Sequence, residues 1–460
     1  MRSVWREAWH QFRCTLPVAG ANLLQRASTW VTWIVVGHLG KEILGPVTLS
    51  SSVNNVLGTS VVGGLSVGIS TLASQAFGAG NDLAMALVLQ RALLVTLLGS
   101  LPCVLLLALI KPILLGLHMD AGFATIAGRY AYCVLLVTPF MGIQRSIGVW
   151  LVAQKNNHPR MFVILFALPI HALMTVYFTL YTSWTYMGAG VAMTISTALQ
   201  AGLIYVYISC SSTCARTWKG FSAEAFKEWG PYLEIALPGV WMNTEYFVGE
   251  SLTLAASMLA DPDTCLSALS IYQLTQTTCY QIPSGLRMVI SARVGNQLGA
   301  GCPAEAAIAE KAGLRLILLW LTIPAALLLI FTRQWGLLFT NNIAVLRLLD
   351  TLVWPMLIYS SLDAVQAYNN GVLASCGQQH ISGKWAIRAY LGVSFPLAFL
   401  FAFAFHWGVP GLCAGHCIGK LCHVLPCIFA VWRIDWELES KRAIERVEQV
   451  SSMTTSLVRQ

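Results

Sequence analysis

The stretch MFVILFALPIHALMTVYFTLYTSWTYMGAGVAMTISTALQAGLIYVYISCSSTCA, residues 161–215, contains no Lys, Arg, Asp or Glu. A helix needs about 20 mostly apolar residues to cross a bilayer, so this stretch is long enough for two such helices. We expect the turn between them near 184–188. Three further runs, 43–81, 92–110 and 389–419, are also uncharged. The sequence therefore predicts a protein that lies in a membrane.

The composition of the whole chain agrees with that location. Charged residues make up 10% of the chain and hydrophobic residues 56%, and the mean hydropathy is +0.66. A soluble domain carries roughly 25% charged residues. Gly and Pro interrupt the apolar runs without a strand-like alternation, and a helix satisfies its own backbone hydrogen bonds inside a bilayer. We therefore predict an all-α integral membrane protein with about twelve transmembrane helices, centred near residues 27, 60, 100, 137, 170, 198, 244, 278, 320, 360, 395 and 420.

The distribution of Lys and Arg predicts the orientation of the chain. With alternate loops assigned to opposite sides, 19 of the 28 basic residues fall on the side of the termini, four on the other side and five within spans. Because cytoplasmic loops carry the excess of Lys and Arg, we expect both termini in the cytoplasm. This distribution explains the net charge of +8 without a nucleic-acid partner. Met1–His10 is polar and basic, so no cleavable signal peptide is expected.

Three short motifs occur twice in the chain, in the same order and about 221 residues apart. They pair FGAG (77–80) with LGAG (298–301), 148–158 with 371–380, and 187–196 with 407–419. The repeat predicts two pseudo-symmetric six-helix lobes, an N-lobe at 1–215 and a C-lobe at 216–460 with a short cytoplasmic tail. Because six is even, both lobes enter the membrane in the same sense, and we expect a central cleft between them.

The thirteen cysteines are scattered through the predicted spans and are expected to pack as small hydrophobic side chains. The group Cys413, His416, Cys417, Cys422 and His423 has spacings that place some members on one helix face. It lies in a Gly-rich helix without a loop that could close a tetrahedral site. We therefore predict no metal site and no cofactor.

Four motifs together resemble those of the multidrug and toxin extrusion (MATE) transporters, and are closer to the eukaryotic branch of that family. They are SARVGNQLGAG (291–301), LASQAFGAGN (72–81), VGHLGK (36–41) and PYLEIALPG (231–239). The resemblance covers about residues 15–435. It implies a secondary active antiporter that exports organic cations or other xenobiotics in exchange for protons or sodium ions, with protons usual in the eukaryotic branch.

The acidic residues expected inside the membrane all lie in the second half of the chain: Glu245, Glu250 and Asp363. A carboxylate at this depth costs on the order of 3 kcal/mol, which binding of a proton can lower. In the resemblance, Glu245 and Glu250 match the paired glutamates of the seventh helix and Asp363 the acid of the tenth. Glu245 and Glu250 lie about 140° apart on an ideal helix. We therefore predict Glu245, Asp363 and Glu250 as the ion-coupling residues. Glu245 and Asp363 are expected to exchange the ion, and Glu250 to shape access or substrate contact.

Four residues are candidates for substrate binding. Asn55 matches a polar cavity residue of the family's second helix. Gln273 follows Tyr272 at a position where an animal relative carries Glu, so one cation-binding charge is missing here. Tyr246 and Tyr272 could hold a flat organic cation by cation–π contact.

Several alternatives remain open at this stage. Arg26, Arg145 and Arg287 fall within predicted spans and either pair with acids or carbonyls or bind an anionic substrate, which would make the protein an organic-anion exporter. A lipid-linked sugar flippase would usually have extra helices and a more basic cavity. A membrane-embedded enzyme is disfavoured, because no transmembrane His has an acid three or four residues away. His171 is expected to be a satisfied polar residue.

The expected mechanism is alternating access. Protons from outside neutralise Glu245 and Asp363, which weakens the hold on a bound cation and releases it outward. The protons then leave to the cytoplasm, and the ionised acids attract the next cation. The expected partners are small organic solutes, protons or sodium ions and the lipid bilayer, and we expect a monomer in a plasma, vacuolar or vesicular membrane.

Overall fold

The computed structural model describes residues 2–458, and their regular structure is helical. The first half of the chain forms six long helical segments. These are α1 (Arg2–Gly37), α2 (Glu42–Gly78), α3 (Asp82–Ala108), α4 (Ala121–Ala153), α5 (Pro159–Leu180) and α6 (Tyr186–Cys210). Short helices at Ile110–Gly116 and Ala223–Phe226 lie in the connections.

The second half forms six more segments, three of which are interrupted. They are α7 (Gly230–Trp241 and Thr244–Ala256), α8 (Pro262–Cys279 and Gln281–Gly299), α9 (Pro303–Leu337), α10 (Ile343–Thr351 and Val353–Ser375), α11 (Gln379–Ala404) and α12 (Gly408–Trp432). A further helix, α13 (Trp436–Val458), follows. Every predicted span centre falls within one of the first twelve segments, so the predicted all-α membrane fold is confirmed.

Not every segment is equally apolar. Within residues 2–458, eight helices are long and apolar enough to cross a membrane by themselves, and α10, bent by 52° at its break, makes a ninth. The three others are α1, α7 and α8, which are interrupted or carry more polar and charged side chains. Polar and ionisable side chains inside a membrane are costly, so the segments that carry them are candidates for functional sites.

The internal repeat is visible in the backbone. Gly80 and Gly301 both have positive φ and end their helices with the same two hydrogen bonds. The glycine N–H donates to the carbonyl three residues earlier at 3.1 Å, and the N–H of the next residue donates to the carbonyl five residues before it at 2.9 Å. Lys155 and Gly377 end their helices with this same pattern. Such Schellman caps satisfy carbonyl groups that the helix leaves free. A third pair with positive φ recurs at the same offset, Thr185 and His406.

The caps at Lys155 and Gly377 have the same backbone conformation but different residue types, so their stabilities can be compared. A left-handed backbone costs an L-residue about 1 kcal/mol, which glycine avoids. Lys155→Gly should therefore raise the free energy of unfolding in detergent by about that amount, and Gly377→Ala should lower it by a similar amount. Shifts of the same sign in the two variants would show that the two caps are not equivalent.

Residue contacts divide the chain into two compact units. The N-unit contains Gly20–Val240 and the part of α13 from Ile444 onward. The C-unit contains the start of α1 up to Ala19, together with Trp241–Ala443. The C-unit is held by two apolar clusters, one around Val248, Tyr272 and Met356, and one around Leu286, Val294 and Val372.

The break in α7 positions one of the predicted acids. Pro238 lacks a backbone N–H, and the helix ends three residues later at Trp241. It resumes at Thr244, so Glu245 lies in the first turn of the second part. A carboxylate is favoured there, because the N–H groups of a helix start carry partial positive charge.

A glycine stripe lets α12 pack very closely against α11. A Cβ atom at Gly411, Gly415 or Gly419 would lie 2.7, 2.2 and 2.2 Å from the nearest atoms of Phe401, Ala398 and Ser394. Small residues spaced by four along a membrane helix allow backbones to approach in this way. The side chains of α12 that follow these glycines are therefore fixed against α11.

Gly415→Ala should destabilise the protein by about 2 kcal/mol, because the added methyl group meets backbone atoms that cannot rotate away. The matched control is Gly202→Ala in α6, where a Cβ atom meets nothing within 4 Å. Thermal unfolding in detergent should separate the two variants clearly. Equal stability of both would contradict the close approach of α11 and α12.

Candidate functional site

A buried lysine in α12 joins α7 and α10. Lys420 is the only charged residue between Arg388 and Arg433, and 1% of its side chain is accessible. Its Nζ lies 2.7 Å from Oε2 of Glu245 and 2.5 Å from Oδ1 of Asp363. The ammonium group therefore binds both predicted coupling acids at once.

Two tyrosines complete the surroundings of Glu245. Tyr359 of α10 donates its hydroxyl to Oε1, and Tyr390 of α11 donates to Oε2 at 2.8 Å. The Nζ atom of Lys420 lies 5.2 and 6.0 Å from the centroids of these two rings. A cation at this distance from an aromatic face is stabilised by the ring quadrupole. The cluster is thus held by contacts from four helices.

Two histidines of α12 contact the tyrosine hydroxyls and are not themselves part of the ion pairs of Lys420. His416 Nε2 lies 3.0 Å from the Tyr359 hydroxyl, and the two rings stack at 4.8 Å. His423 Nδ1 lies 3.3 Å from the Tyr390 hydroxyl. Both imidazoles are at least nine-tenths buried, so their nitrogen atoms depend on these protein partners.

Tyr390 also begins an irregular part of α11. The turn Tyr390–Ser394 is π-helical, and a second π-helical turn follows at Leu400–Ala404. Single π-helical turns occur often at functional sites, because they turn side chains away from the regular helical positions. Here the first of them presents Tyr390 to Glu245.

The charges of the cluster define what it can bind. With both carboxylates ionised and the lysine protonated, Lys420, Glu245 and Asp363 carry one net negative charge. An uncompensated charge away from water is unfavourable, so the cluster gains from binding one proton or one cation. The site can therefore alternate between a neutral and a singly negative state.

The structure brings Glu245 and Asp363 together through Lys420, as the coupling hypothesis requires. Glu250 is half-buried in the same part of α7. Its predicted role, like those of Glu245 and Asp363, stays a prediction.

The predicted substrate residues lie in different surroundings. Tyr246 is 44% exposed. Tyr272 is buried in the first apolar cluster of the C-unit. Gln273 donates to the Gly249 carbonyl at 3.0 Å and so ties α8 to α7. Asn55 is exposed in a π-helical turn of the N-unit. Their roles in binding stay predictions.

Lys420 and its two histidines were not assigned to the site from the sequence. The isolation of Lys420 within a long uncharged run was the available signal. The sequence singles out the histidines only as possible metal ligands, whereas their partners in the structure are tyrosine and serine hydroxyls and the Gln366 amide. Within residues 2–458, no group of three or more His, Cys, Asp or Glu could hold a metal ion.

Comparison with known proteins finds relatives that match most of the chain. The MatE family model matches residues 17–177 and again residues 240–400. The chain is 30% identical to Protein DETOXIFICATION 17 of Arabidopsis thaliana, over 97% of this chain and 94% of that one. It is 28% identical to Multidrug and toxin extrusion protein 1 of Danio rerio, over 94% and 73%.

Solved structures show the same fold. The crystal structure of the eukaryotic MATE transporter AtDTX14 superposes with a TM-score of 0.89 at 26% identity, and covers 96% of this chain and 100% of that chain. A Vibrio cholerae MATE transporter superposes with a TM-score of 0.81 at 16% identity, over 97% and 98%. At 16% identity, the superposition on the Vibrio cholerae protein shows a shared fold only.

The ion cluster makes a direct prediction for stability. Lys420→Met leaves two partly buried carboxylates, 25% and 15% exposed, without their cation and should lower the free energy of unfolding by about 3 kcal/mol. The control is the triple variant Lys420→Met/Glu245→Gln/Asp363→Asn, in which no buried charge is left, and it should regain most of the loss. Wild-type stability of the single variant would contradict the pairing.

Proposed function

Because the chain belongs to the MatE family of transporters, we propose that it is a secondary active antiporter that exports organic cations or other xenobiotics in exchange for protons. The observation that carries this proposal is the cluster of Lys420, Glu245 and Asp363. One proton converts it from singly negative to neutral. A group with two charge states inside a membrane can link ion binding to a change of conformation.

The contacts of the cluster favour protons over sodium ions. A hard cation is held by several free oxygen ligands. Both oxygens of Glu245 already accept hydrogen bonds from Lys420 and a tyrosine hydroxyl. A proton needs one carboxylate oxygen and no coordination shell, so it can bind without removing the tyrosines.

The cycle proceeds by alternating access. A proton from outside binds Glu245 or Asp363 and neutralises the cluster, so a bound organic cation loses its electrostatic attraction and leaves outward. The proton then leaves to the cytoplasm. The negative cluster that remains attracts the next cation from the cytoplasmic side. Glu250, Asn55, Tyr246, Tyr272 and Gln273 are proposed to shape access to the substrate or to contact it.

The remaining assignments rest on the sequence. The excess of Lys and Arg in alternate loops supports cytoplasmic termini. The repeat supports a functional division into 1–215 and 216–460. We propose a monomer in a plasma, vacuolar or vesicular membrane that acts on small organic solutes.

Transport by purified protein in lipid vesicles tests the proposal. Glu245→Gln and Asp363→Asn should each lower uptake of ethidium driven by an imposed pH gradient by roughly 100-fold, because the carboxylate that binds the proton is gone. Glu234→Gln is the matched control, since Glu234 is an exposed acid in the first part of α7.

A sodium gradient without a pH gradient should drive no uptake. Near-normal proton-driven uptake by Glu245→Gln, or uptake driven by sodium alone, would contradict the proposal.

A further inference from the structure

The first oxygen of Glu245 is the end of a chain of hydrogen bonds. Tyr359 donates to Oε1, His416 Nε2 contacts the Tyr359 hydroxyl at 3.0 Å, and His416 Nδ1 lies 3.0 Å from the Ser394 hydroxyl. The order is carboxylate, tyrosine, imidazole and serine. Each link is within hydrogen-bond distance.

The second oxygen is the end of a matching chain. Tyr390 donates to Oε2 of Glu245 at 2.8 Å, and His423 Nδ1 lies 3.3 Å from the Tyr390 hydroxyl. On the other side of the ring, His423 Nε2 lies 3.0 Å from the Ser382 hydroxyl and 3.2 Å from Nε2 of Gln366. The two chains use the same residue types in the same order.

The hydrogen bonds fix the polarity of both chains. A tyrosine hydroxyl has one proton, and in Tyr359 and Tyr390 that proton is donated to ionised Glu245. Each hydroxyl oxygen must therefore accept from its imidazole, so His416 carries its proton on Nε2 and His423 carries its proton on Nδ1. Both chains are oriented to deliver a proton to Glu245. When Glu245 is protonated it can donate instead, and a chain can reverse.

The two chains leave the cluster in opposite directions along α12. His416 and His423 are seven residues apart, which corresponds to about 10 Å of helix, and Lys420 lies between them. His416 is towards the Gly408 end and His423 towards the Trp432 end. In the orientation proposed above, the Gly408 end faces outside and the Trp432 end faces the cytoplasm.

We propose that the two Tyr–His–Ser chains are separate proton pathways to one carboxylate: Tyr359–His416–Ser394 admits protons from outside, and Tyr390–His423–Ser382 releases them to the cytoplasm. This inference rests on the proposed proton-coupled function and specifies its route. Each imidazole is a positioning and relay group, since it acts on Glu245 through a tyrosine.

The proton balance of each transfer is complete. On entry, a proton from the Ser394 side binds Nδ1 of His416, the proton on Nε2 passes to the Tyr359 oxygen, and the tyrosine proton passes to Oε1 of Glu245. Exit starts from the reversed chain, in which protonated Glu245 donates to the Tyr390 oxygen, Tyr390 donates to Nδ1 of His423, and His423 carries its proton on Nε2. Glu245 then gives its proton to the Tyr390 oxygen, the tyrosine proton passes to Nδ1 of His423, and the Nε2 proton leaves towards Ser382. One proton enters and one leaves. Each transfer leaves its imidazole in the other tautomer with the tyrosine hydroxyl turned round, so reorientation of these two groups restores the starting state before the next cycle.

The buried amide of Gln366 gives the exit chain a further acceptor. The Oε1 atom of Gln366 has no hydrogen-bond partner among the residues described. Its Nε2 atom lies beside His423 Nε2. A rotation of the amide would exchange a donor for an acceptor at the imidazole, which is the change that reversal of the chain requires.

The charged groups that face the imidazoles belong to the cluster itself. Among the residues described, Lys420 and Glu245 are the charged groups that act on both His416 and His423. The titratable side chains that contact the imidazoles are Tyr359 and Tyr390, and Cys427 contacts Gln366 beside them. A change at either histidine therefore alters one pathway and leaves the Lys420 pairs in place.

The experiment uses the full chain in lipid vesicles of known orientation, with ethidium as substrate. His416→Gln and His423→Gln should each lower proton-driven uptake roughly 100-fold. Exchange of ethidium for ethidium without a pH gradient should stay within about twofold of wild type, because no proton transfer is needed. His171→Gln is the matched control: His171 is also buried in a membrane helix, but it bonds Thr32 and the Ser28 carbonyl in the N-unit.

The dependence on pH on each side separates a relay from a structural role. In His416→Gln, the residual rate should rise with proton concentration on the outside and be insensitive to the inside. In His423→Gln the two sides should exchange roles. If a histidine variant fails to fold, Tyr359→Phe and Tyr390→Phe keep the rings, remove the relay hydroxyls and should give the same side-specific results.

Three outcomes would overturn the inference. If both histidine variants transport like wild type while Glu245→Gln is inactive, protons use another route and the proposed function stands. If both variants show the same pH dependence on both sides, the two pathways are not separate. If wild-type protein shows no proton-driven uptake, the proposed function fails and the pathways fail with it.

Discussion

The buried ammonium group of Lys420 is the contact on which the C-unit depends. It binds Glu245 of α7 and Asp363 of α10 from α12, so three helices share one charge centre. Desolvation of these groups is unfavourable, and their mutual attraction compensates for it only while the geometry is kept. Addition of one proton changes the charge of the whole group. The same contact is therefore structural and sensitive to protonation.

Two of the helices around this centre are irregular where they meet it, and the third has a surface of small residues. α7 is interrupted just before Glu245, and α11 is π-helical from Tyr390 to Ser394. α12 has a glycine at every fourth position before Lys420. In a membrane, each departure from a regular helix leaves backbone groups that need other partners. Such departures persist where they hold a site in place. The two irregularities and the glycine stripe of α12 bring a carboxylate, a hydroxyl and an ammonium group to one point.

The sequence predicted the helices well because bilayer thickness sets the length of each span, and it predicted Glu245 and Asp363 because an acid is rare at that depth. Lys420 is one of the five basic residues that fall within predicted spans, but the sequence does not show it to be the partner of the acids. The tyrosines and histidines could not be found by spacing. Tyr359 is 114 positions from Glu245 and Tyr390 is 145, and only the packing of α10, α11 and α12 brings them together. Aromatic residues are common in membrane helices, so Tyr359 and Tyr390 carry no individual signal.

The ion cluster occurs in only one half of the chain, although the helical scaffold is duplicated. Both halves share helix-ending caps at the same offset, so the scaffold is duplicated down to single backbone angles. At that offset, the counterparts of Glu245, Asp363 and Lys420 are Leu24, Gly142 and Leu199. None of the three can ionise. A second charge centre would add a further desolvation cost and a second independent proton site. The cluster of Glu245, Asp363 and Lys420 is therefore confined to the C-unit, while the N-unit retains the shared framework.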